Sequence, residues 1–412
     1  MEEKHNDGLS VFGSGLIWFG AAVSIAEIEA GMQLAPACGG GGTGAVAAGI
    51  LLGHLLGGVL LFLAALLGAR TRRGAMDCAK IPFGRAGGGF FAILNVAQLV
   101  GWTAVMVAQG AAAAAPLLGG VPFPAACCGI GALVALWLFV GLRGVGRINT
   151  VAMGLLFALT VLLSFVVLGG KGSLPAEGAA PGGSAFWFAF EMAAAMPLSW
   201  LPLAADYTKD ARRPVAASAA AAGVYTLVST WMYAVGLFAA ALPGGQTIAG
   251  AMQAAGLGAA GLLVIAFSTV TTTFLDAYSA GESAKSLWHR IPAKGFALAV
   301  CAAGSAMAAL GAMDRYLDFL YFIASVFAPM AAVLLCDAYL RRPGRRASAA
   351  WNFAAWAAGF AAYHLSLGPA SFFAAFFPKA FAWECPAGAT LPALAASAAF
   401  ALLAPGPART AD

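Results

Sequence analysis

The sequence has too few charged residues to cover the surface of a water-soluble protein of its size. Only 9% of its 412 residues are charged and 61% are hydrophobic, whereas about 25% of residues are charged in an ordinary soluble domain. Apolar runs of about 20 residues, the length with which an α-helix crosses a bilayer, recur along the whole chain. A helix also satisfies its own backbone groups in lipid. The composition therefore predicts an all-α, polytopic membrane protein.

The chain also lacks the residue patterns of two other protein classes. Its seven cysteines are scattered, odd in number and without metal-ligand spacing, so they predict no disulfide framework. The sequence shows no cluster of His or Asp with metal spacing and no nucleophile motif, which argues against an intramembrane enzyme. We therefore predict a protein that is not an enzyme and uses no cofactor.

The hydropathy pattern predicts twelve membrane spans and no separate soluble domain. The approximate limits of the spans are residues 11–35, 45–69, 88–115, 122–142, 148–169, 184–205, 217–242, 258–280, 294–312, 316–340, 350–367 and 387–404.

Lys and Arg are distributed unevenly between the two sides of this arrangement. Of the 22 residues of these types, only Lys171, Arg315 and Lys379 lie on the poorer side. Because cytoplasmic loops carry the excess of Lys and Arg, we expect both termini to be cytoplasmic, in a bacterial inner membrane. The net charge of +5 then requires no nucleic-acid partner, since basic loops lie against anionic lipid headgroups.

Two predicted spans are interrupted by residues that break helices. The first carries Gly20, a polar run over 24–29 and Pro36, and the sixth carries Pro197 and Pro202. Interrupted helices five spans apart are typical of two inverted repeats of five helices, with a binding site near the middle of the membrane. The pattern therefore indicates a transporter.

Ionisable residues inside a membrane are costly and usually functional. Glu27 and Glu29 lie near the centre of the first span. Two residues on a helix are separated by about 200°, so an unbroken helix cannot direct both into one cavity. Glu27 is nearer the middle and one turn from Ser24, which favours it, although local unwinding could bring Glu29 inward. The alternative is a protonated Glu that bonds a neighbouring helix.

The third span places an amide and an indole on one face. Gln98 and Trp102 are one turn apart, and Gln109 lies two turns further along the same face. Such a pair suits a flat heterocycle, because the ring can stack on Trp and the amide can form paired hydrogen bonds. The alternative is helix packing around a buried amide.

The eighth span carries a face of hydroxyl groups. Ser268, Thr271 and Thr272 stand at positions i, i+3 and i+4. Na⁺ requires hard oxygen ligands, and carbonyls of the broken first span could complete the shell. Hydroxyls in membrane helices also bond back to their own helix, so both interpretations stay open on chemistry alone.

Three further polar residues lie in or beside the spans. Asp206 stands at the cytoplasmic boundary, where we expect it to pair with loop cations or to guard the inner exit. For His54 and His364, we expect histidines whose hydrogen bonds are satisfied by neighbouring helices.

Several stretches of the chain resemble one family of membrane transporters. They are SIAEI (24–28), LLGHLLG (51–57) with GARTR (68–72), LNVAQLVGWTAVM (94–106), PLSWLPLAADYTK (197–209) and FLYFIASVFAPM (319–330). The sequence is similar there to the nucleobase:cation symporter-1 family, and within it to the hydroxymethylpyrimidine transporter branch. The stretches extend over the first ten predicted spans.

The resemblance implies a LeuT-like fold, with ten core helices in two inverted repeats and two peripheral helices. The repeats would cover about residues 11–169 and 184–340, and the peripheral helices about 350–404. The substrate residues implied by the family are Glu27, Gln98, Trp102, Met196, Ser199 and Trp200. The Na⁺ ligands implied are the carbonyls of Val23 and Ala26 with Ser268, Thr271 and Thr272.

The same resemblance implies the activity, which is symport of hydroxymethylpyrimidine, a thiamine precursor, by a protein that we expect to be a monomer. The alternative is a cytosine or other nucleobase or allantoin-type permease. Two residues depart from the family pattern: Glu27 stands where hydantoin transporters have Gln, and Ser268 where cytosine permeases have Asn. Glu27 could bind an amine or move protons, so the expected coupling ion is Na⁺ with H⁺ as the alternative.

Overall fold

The computed structural model describes residues 8–144, 146–169, 182–242, 250, 256, 258–311, 316–341 and 347–404. Within these residues the chain folds into α-helices joined by short turns and 3₁₀ segments, and no strand is formed. The predicted cytoplasmic location of the termini concerns residues 1–7 and 405–412, which lie outside the described residues, as do Lys171 and Arg315.

The described residues form fourteen α-helices. They are α1 (Val11–Ala22), α2 (Ile25–Gln33), α3 (Thr43–Thr71), α4 (Ala75–Ala114), α5 (Phe123–Gly144), α6 (Gly146–Gly169), α7 (Gly182–Ser199), α8 (Leu201–Thr208), α9 (Pro214–Ala239), α10 (Gly258–Leu287), α11 (Ala293–Ala309), α12 (Tyr316–Leu335), α13 (Ala349–Leu367) and α14 (Thr390–Leu402).

Helices occupy all twelve predicted spans, and the two spans predicted to be broken are each formed by a pair, α1 with α2 and α7 with α8. The largest difference is at α4, which begins thirteen residues before the predicted span. Gly84, with a φ of 68°, separates this extra cytoplasmic segment from the span, and a positive φ is a conformation that glycine adopts without steric cost.

The length and composition of the helices alone identify fewer membrane spans than the twelve predicted from the sequence. In the described residues, five helical stretches are long and apolar enough to cross a membrane, and the bent pair of α1 and α2 adds a sixth. Helices α11 and α14 are apolar but have only 17 and 13 residues. The chain is thus a multi-pass membrane protein, and the number twelve rests on the match between helices and predicted spans.

The break in the first span has a local cause. Val23 and Ser24 leave the helical conformation, with ψ values of 78° and 154°. The Ser24 hydroxyl then accepts a hydrogen bond from the Glu27 backbone N–H at 3.2 Å, which caps α2 as an N-cap serine does. The axes of α1 and α2 consequently differ by 49°.

The break in the sixth span is milder. Trp200 separates α7 from α8 while keeping near-helical dihedral angles. Pro197 and Pro202 lack the backbone N–H that would continue the helical ladder. Carbonyl groups near the break are therefore released from the regular pattern.

Glycines on α3 allow this helix to pack closely on α7. A Cβ at Gly49 would lie 2.5 Å from the Phe186 carbonyl oxygen, and one at Gly53 would lie 2.5 Å from that of Phe190. Four-residue spacing of small residues is the pattern that lets membrane helices approach. Helices α1 and α2 also pack against α9, and α4 packs against α10 and α11. These contacts bring both broken spans against α4 and α10.

Candidate functional site

A small cavity lies where the two helix breaks face α4 and α10. We call it the central cavity. Five of the six predicted substrate residues line it: Glu27, Trp102, Met196, Ser199 and Trp200. Ser24, Thr272 and Asp276 add polar groups to the same wall. The structure therefore brings together residues as far apart in the sequence as Ala21 and Asp276, which are separated by 255 positions.

The central cavity has a volume of about 20 Å³, which holds about one water molecule. A six-membered heterocycle cannot enter a space of this size unless helices or side chains move apart. The residues are thus arranged around a space that is too small for such a ligand in this conformation.

Trp102 and Trp200 form aromatic walls of the central cavity. Trp102 meets Phe319 of α12 edge to face, with 5.8 Å between ring centroids. Trp200 meets Trp18 at 5.5 Å and Tyr225 at 6.1 Å in the same type of geometry. Edge-to-face contacts hold an indole in place, so both rings are set to contact a flat ligand.

Glu27 is held by hydrogen bonds from α9. One carboxylate oxygen accepts from the Tyr225 hydroxyl at 2.6 Å, and the other accepts from the Ser229 hydroxyl at 2.8 Å. Nε2 of His54 lies 2.6 Å from the same Ser229 oxygen, and Nδ1 of His54 lies 2.9 Å from the Ile50 carbonyl oxygen. The buried His54 is thus satisfied by its own helix and α9, as expected from the sequence.

Glu29 points away from the central cavity. Its carboxylate accepts a hydrogen bond from the Gln109 side chain on α4, and it is absent from the cavity wall. Of the two candidates in the first span, Glu27 is therefore the one that faces the site. The capped start of α2 keeps the two carboxylates on different faces, as the helical spacing predicts.

Gln98 lies one turn from Trp102 but outside the wall of the central cavity. Its amide nitrogen donates to the Asn95 side chain at 2.7 Å, and Asn95 donates to the Ser283 hydroxyl on α10 at 2.8 Å. Gln98 thus belongs to a buried polar network between α4 and α10, the packing alternative recognised from the sequence. Its amide oxygen has no hydrogen-bond partner among the described residues.

The predicted hydroxyl face of α10 lies against the broken end of α1. The Ser268 hydroxyl donates to the Val23 carbonyl at 2.7 Å, and the Thr272 hydroxyl donates to the Gly20 carbonyl at 3.4 Å. The Thr271 hydroxyl donates to the carbonyl of Ser268 in its own helix at 3.1 Å. Hard oxygen groups of two helices thus converge beside the central cavity, where they could coordinate a cation such as Na⁺. Ala26 lines the cavity itself.

Asp206 connects three helices at the end of the site that lies towards the loops rich in Lys and Arg. One oxygen accepts from the Ala75 backbone N–H at 2.8 Å, at the start of α4, and the other accepts from the Ser279 hydroxyl of α10 at 2.5 Å. The neighbouring Tyr207 hydroxyl donates to the Leu275 carbonyl of α10 at 2.5 Å. The hydrogen-bond partners of the buried Asp206 are thus a helix N-terminus and a serine, and the alternative expected from the sequence, a guard of the inner exit, stays a prediction.

Two larger cavities flank the central one. An outer cavity of about 110 Å³ shares Trp102 and Met196 with it and is lined by Glu191, Tyr233 and other side chains. A cytoplasmic cavity of about 700 Å³ lies beyond Asp206 and is rich in Lys and Arg. The names outer and cytoplasmic follow the orientation predicted from the distribution of Lys and Arg.

Glu191 connects α7 to the start of the last helix. One of its oxygens accepts from the backbone N–H of Thr390 at 2.8 Å and from its hydroxyl at 2.6 Å. The first turn of α14 has no side-chain cap of its own, so Glu191 supplies one. This contact fixes a peripheral helix to the broken sixth span.

Sequence reasoning assigned no role at the site to three residues, and a signal was present for one of them. Asp276 follows Ser268 and Thr272 at intervals of four and therefore shares their helix face. Tyr225 and Ser229 are also four apart, but nothing in the sequence showed that they would meet Glu27, which is about 200 residues away.

Comparison with known proteins identifies the fold. No protein-family model and no curated protein sequence matches the chain. Among solved structures it is similar to Mhp1, a nucleobase-cation-symport-1 family transporter, in a closed conformation with bromovinylhydantoin bound. That similarity has a TM-score of 0.72 and 18% identity, and covers 96% of this chain and 91% of Mhp1. The inward-facing conformation of Mhp1 gives a TM-score of 0.71 at 16% identity, with 96% and 90% covered.

A second solved transporter shares the architecture. It is a Na⁺-coupled sialic acid symporter in a substrate-bound outward-open state, with a TM-score of 0.67 and 12% identity, covering 95% of this chain and 88% of that one. Each of these solved structures is a transporter. The predicted LeuT-like architecture is confirmed, and the chain is a multi-pass membrane protein with the fold of these symporters.

Proposed function

We propose that the protein is a secondary active transporter that imports a small heterocycle together with a cation by alternating access. The observation that carries the proposal is the occluded central cavity, in which two broken helices, two tryptophans and polar side chains converge. Its position between an outer and a cytoplasmic cavity is the arrangement that a carrier needs. The fold shared with solved symporters supports this mechanism.

The proposed cycle opens the two ends of the site alternately. On the outer side, Trp102 and Met196 separate the central cavity from the outer cavity. On the cytoplasmic side, the contacts of Asp206 and Tyr207 with α10 close the path. Separation of α8 from α10 would open the cavity inward, and movement of the Trp102 region would open it outward.

Coupling would arise at the oxygen groups between α1 and α10. A cation that bridges Val23 and Ser268 stabilises the arrangement in which these helices are close. It can shift the conformational equilibrium only as far as its affinity differs between the two states. We propose Na⁺ as this cation, with H⁺ as the alternative.

The proposed substrate is 4-amino-5-hydroxymethyl-2-methylpyrimidine, the thiamine precursor that the sequence resemblance implies. Trp102 would stack on the pyrimidine ring, and the Ser199 hydroxyl would meet the hydroxymethyl group. Ser199 now donates to the Met196 carbonyl at 2.7 Å, a local bond that it can exchange for a ligand bond. Gln98 would contact the substrate only if its network with Asn95 rearranged.

Competition for uptake separates this substrate from its rivals within the family. In cells that express the protein in their inner membrane, we expect unlabelled hydroxymethylpyrimidine to block uptake of its own radiolabelled form at lower concentrations than cytosine or allantoin. Cells without the protein provide the background. Stronger competition by cytosine would identify a nucleobase permease, and stronger competition by allantoin would identify an allantoin-type permease; either would refute the proposed substrate.

A further inference from the structure

The central cavity contains a second carboxylate, that of Asp276 on α10. Asp276 lies one turn after Thr272 and lines the same wall as Trp102. It is only 5% exposed. No hydrogen bond or ion pair to its carboxylate is formed by any residue in the part of the chain that the structure describes.

The two carboxylates of the cavity differ in what they can offer a ligand. Both oxygens of Glu27 already accept hydrogen bonds, from Tyr225 and Ser229. The oxygens of Asp276 accept from no donor among the described residues. An approaching ligand therefore meets Asp276 with all of its acceptor sites available and Glu27 with two of about four already used.

No protein cation compensates Asp276 inside the cavity. The described residues that line the cavity include no Lys, Arg or His, and Glu27 is the other ionisable side chain there. Tyr207 approaches from α8, but its hydroxyl is bonded to the Leu275 carbonyl. A buried carboxylate without donors is costly, so a ligand that supplies N–H groups or positive charge would gain binding energy at this position.

We propose that Asp276 is a specificity-determining residue, and that the substrate is a nitrogen heterocycle whose edge presents N–H donors to this carboxylate. The inference rests on the proposed transport function and defines its substrate class. An aminopyrimidine protonated on the ring nitrogen next to its amino group presents two parallel N–H groups, which match the two oxygens of a carboxylate in a charge-assisted pair. The positive ring would also be attracted to the face of Trp102.

The same geometry disfavours heterocycles with a carbonyl group at that edge. A 4-oxo pyrimidine presents one ring N–H beside its carbonyl oxygen, so one Asp276 oxygen gains a donor while the other faces an acceptor. Uracil should therefore bind less tightly than cytosine. Cytosine carries an amino group at the position where uracil carries a carbonyl group, so the two compounds form a matched pair of probes.

Calorimetry of ligand binding to the purified full-length protein in lipid nanodiscs tests the inference. The probes are hydroxymethylpyrimidine with its 4-oxo analogue, and cytosine with uracil. In each pair whose members bind, we expect the dissociation constant of the 4-amino compound to be at least about tenfold lower than that of the 4-oxo compound. An effect of this size is expected for a hydrogen bond to a charged group. We expect Asp276→Asn to lose this preference, since an amide offers both a donor and an acceptor.

Glu29→Gln is the matched control, because Glu29 is a second acidic residue of the first span and faces away from the central cavity. It should leave the ratio of amino to oxo affinities unchanged. The wild-type ratio is itself a test that does not depend on the folding of any variant. Equal wild-type affinity for both members of a pair would overturn the role of Asp276.

The remaining outcomes separate the inference from the proposed function. If the wild-type protein binds none of the four pyrimidines, the proposed function fails together with the inference. If Asp276→Asn keeps the amino preference but removes the Na⁺ or pH dependence of uptake, Asp276 serves the coupling ion, and the inference alone is overturned.

Discussion

Trp102→Ala is expected to lower pyrimidine uptake by about 10- to 100-fold, since stacking of a base on an aromatic side chain contributes about 1–3 kcal/mol. The indole also separates the central cavity from the outer cavity, so its removal should weaken occlusion as well as binding. Trp102→Phe keeps an aromatic face and should retain much of the activity. The measurement is the initial rate of radiolabelled uptake, normalised to the amount of protein in the membrane.

The control for this prediction is a tryptophan outside the site. Trp351 lies on α13, where it stacks on Phe400 with 4.8 Å between ring centroids. Trp351→Phe preserves that contact and should transport at the wild-type rate. A Trp102→Ala variant that takes up the pyrimidine at the wild-type rate would show that the substrate does not bind in the central cavity.

Glu27→Ala is expected to cause the largest combined loss of stability and transport. The substitution removes the acceptor of both Tyr225 and Ser229, and each buried polar group left without a partner costs about 1–3 kcal/mol. The variant should unfold at a lower temperature than the wild type and should lose uptake. Thermal unfolding in detergent, followed by the yield of monodisperse protein, measures the first effect.

Glu27→Gln is the informative partner of that variant. The amide oxygen can still accept from Tyr225, and the amide N–H can donate to the Ser229 oxygen. Ser229 can then donate to Nε2 of His54 while Nδ1–H of His54 donates to the Ile50 carbonyl. We therefore expect Glu27→Gln to fold like the wild type. A loss of stability as large as that of Glu27→Ala would show that the network requires the acid itself.

The elements of the fold could be predicted from sequence because each rests on local properties. Hydropathy located every span, and helix-breaking residues located both interruptions. Helical spacing predicted that Glu27 and Glu29 face different sides, and the position of Glu27 nearer the middle of the span and one turn from Ser24 favoured it. The hydrogen bond with which Ser24 caps α2 places both residues in one helix and so preserves that spacing. The hydroxyl face of α10 was likewise visible as a pattern within one helix.

The site was less predictable because its contacts join distant segments. Gln98 shares a helix face with Trp102, but Asn95 and Ser283 draw its amide into a network away from the cavity. Asp206 lies beside loop cations in the sequence, yet the start of α4 and Ser279 provide its partners. Spacing shows which residues share a face, whereas only the packed structure shows what that face meets.

The central claim is that an ion gradient drives a pyrimidine through this protein, and uptake into proteoliposomes tests it most directly. With an inward Na⁺ gradient, radiolabelled hydroxymethylpyrimidine should accumulate inside above its external concentration, and an ionophore that dissipates the gradient should abolish the accumulation. An inward H⁺ gradient in the absence of Na⁺ tests the alternative ion. Under one of the two gradients we predict concentrative uptake that protein-free liposomes do not show. Uptake that only equilibrates, or that equals the protein-free background under both gradients, would contradict the account.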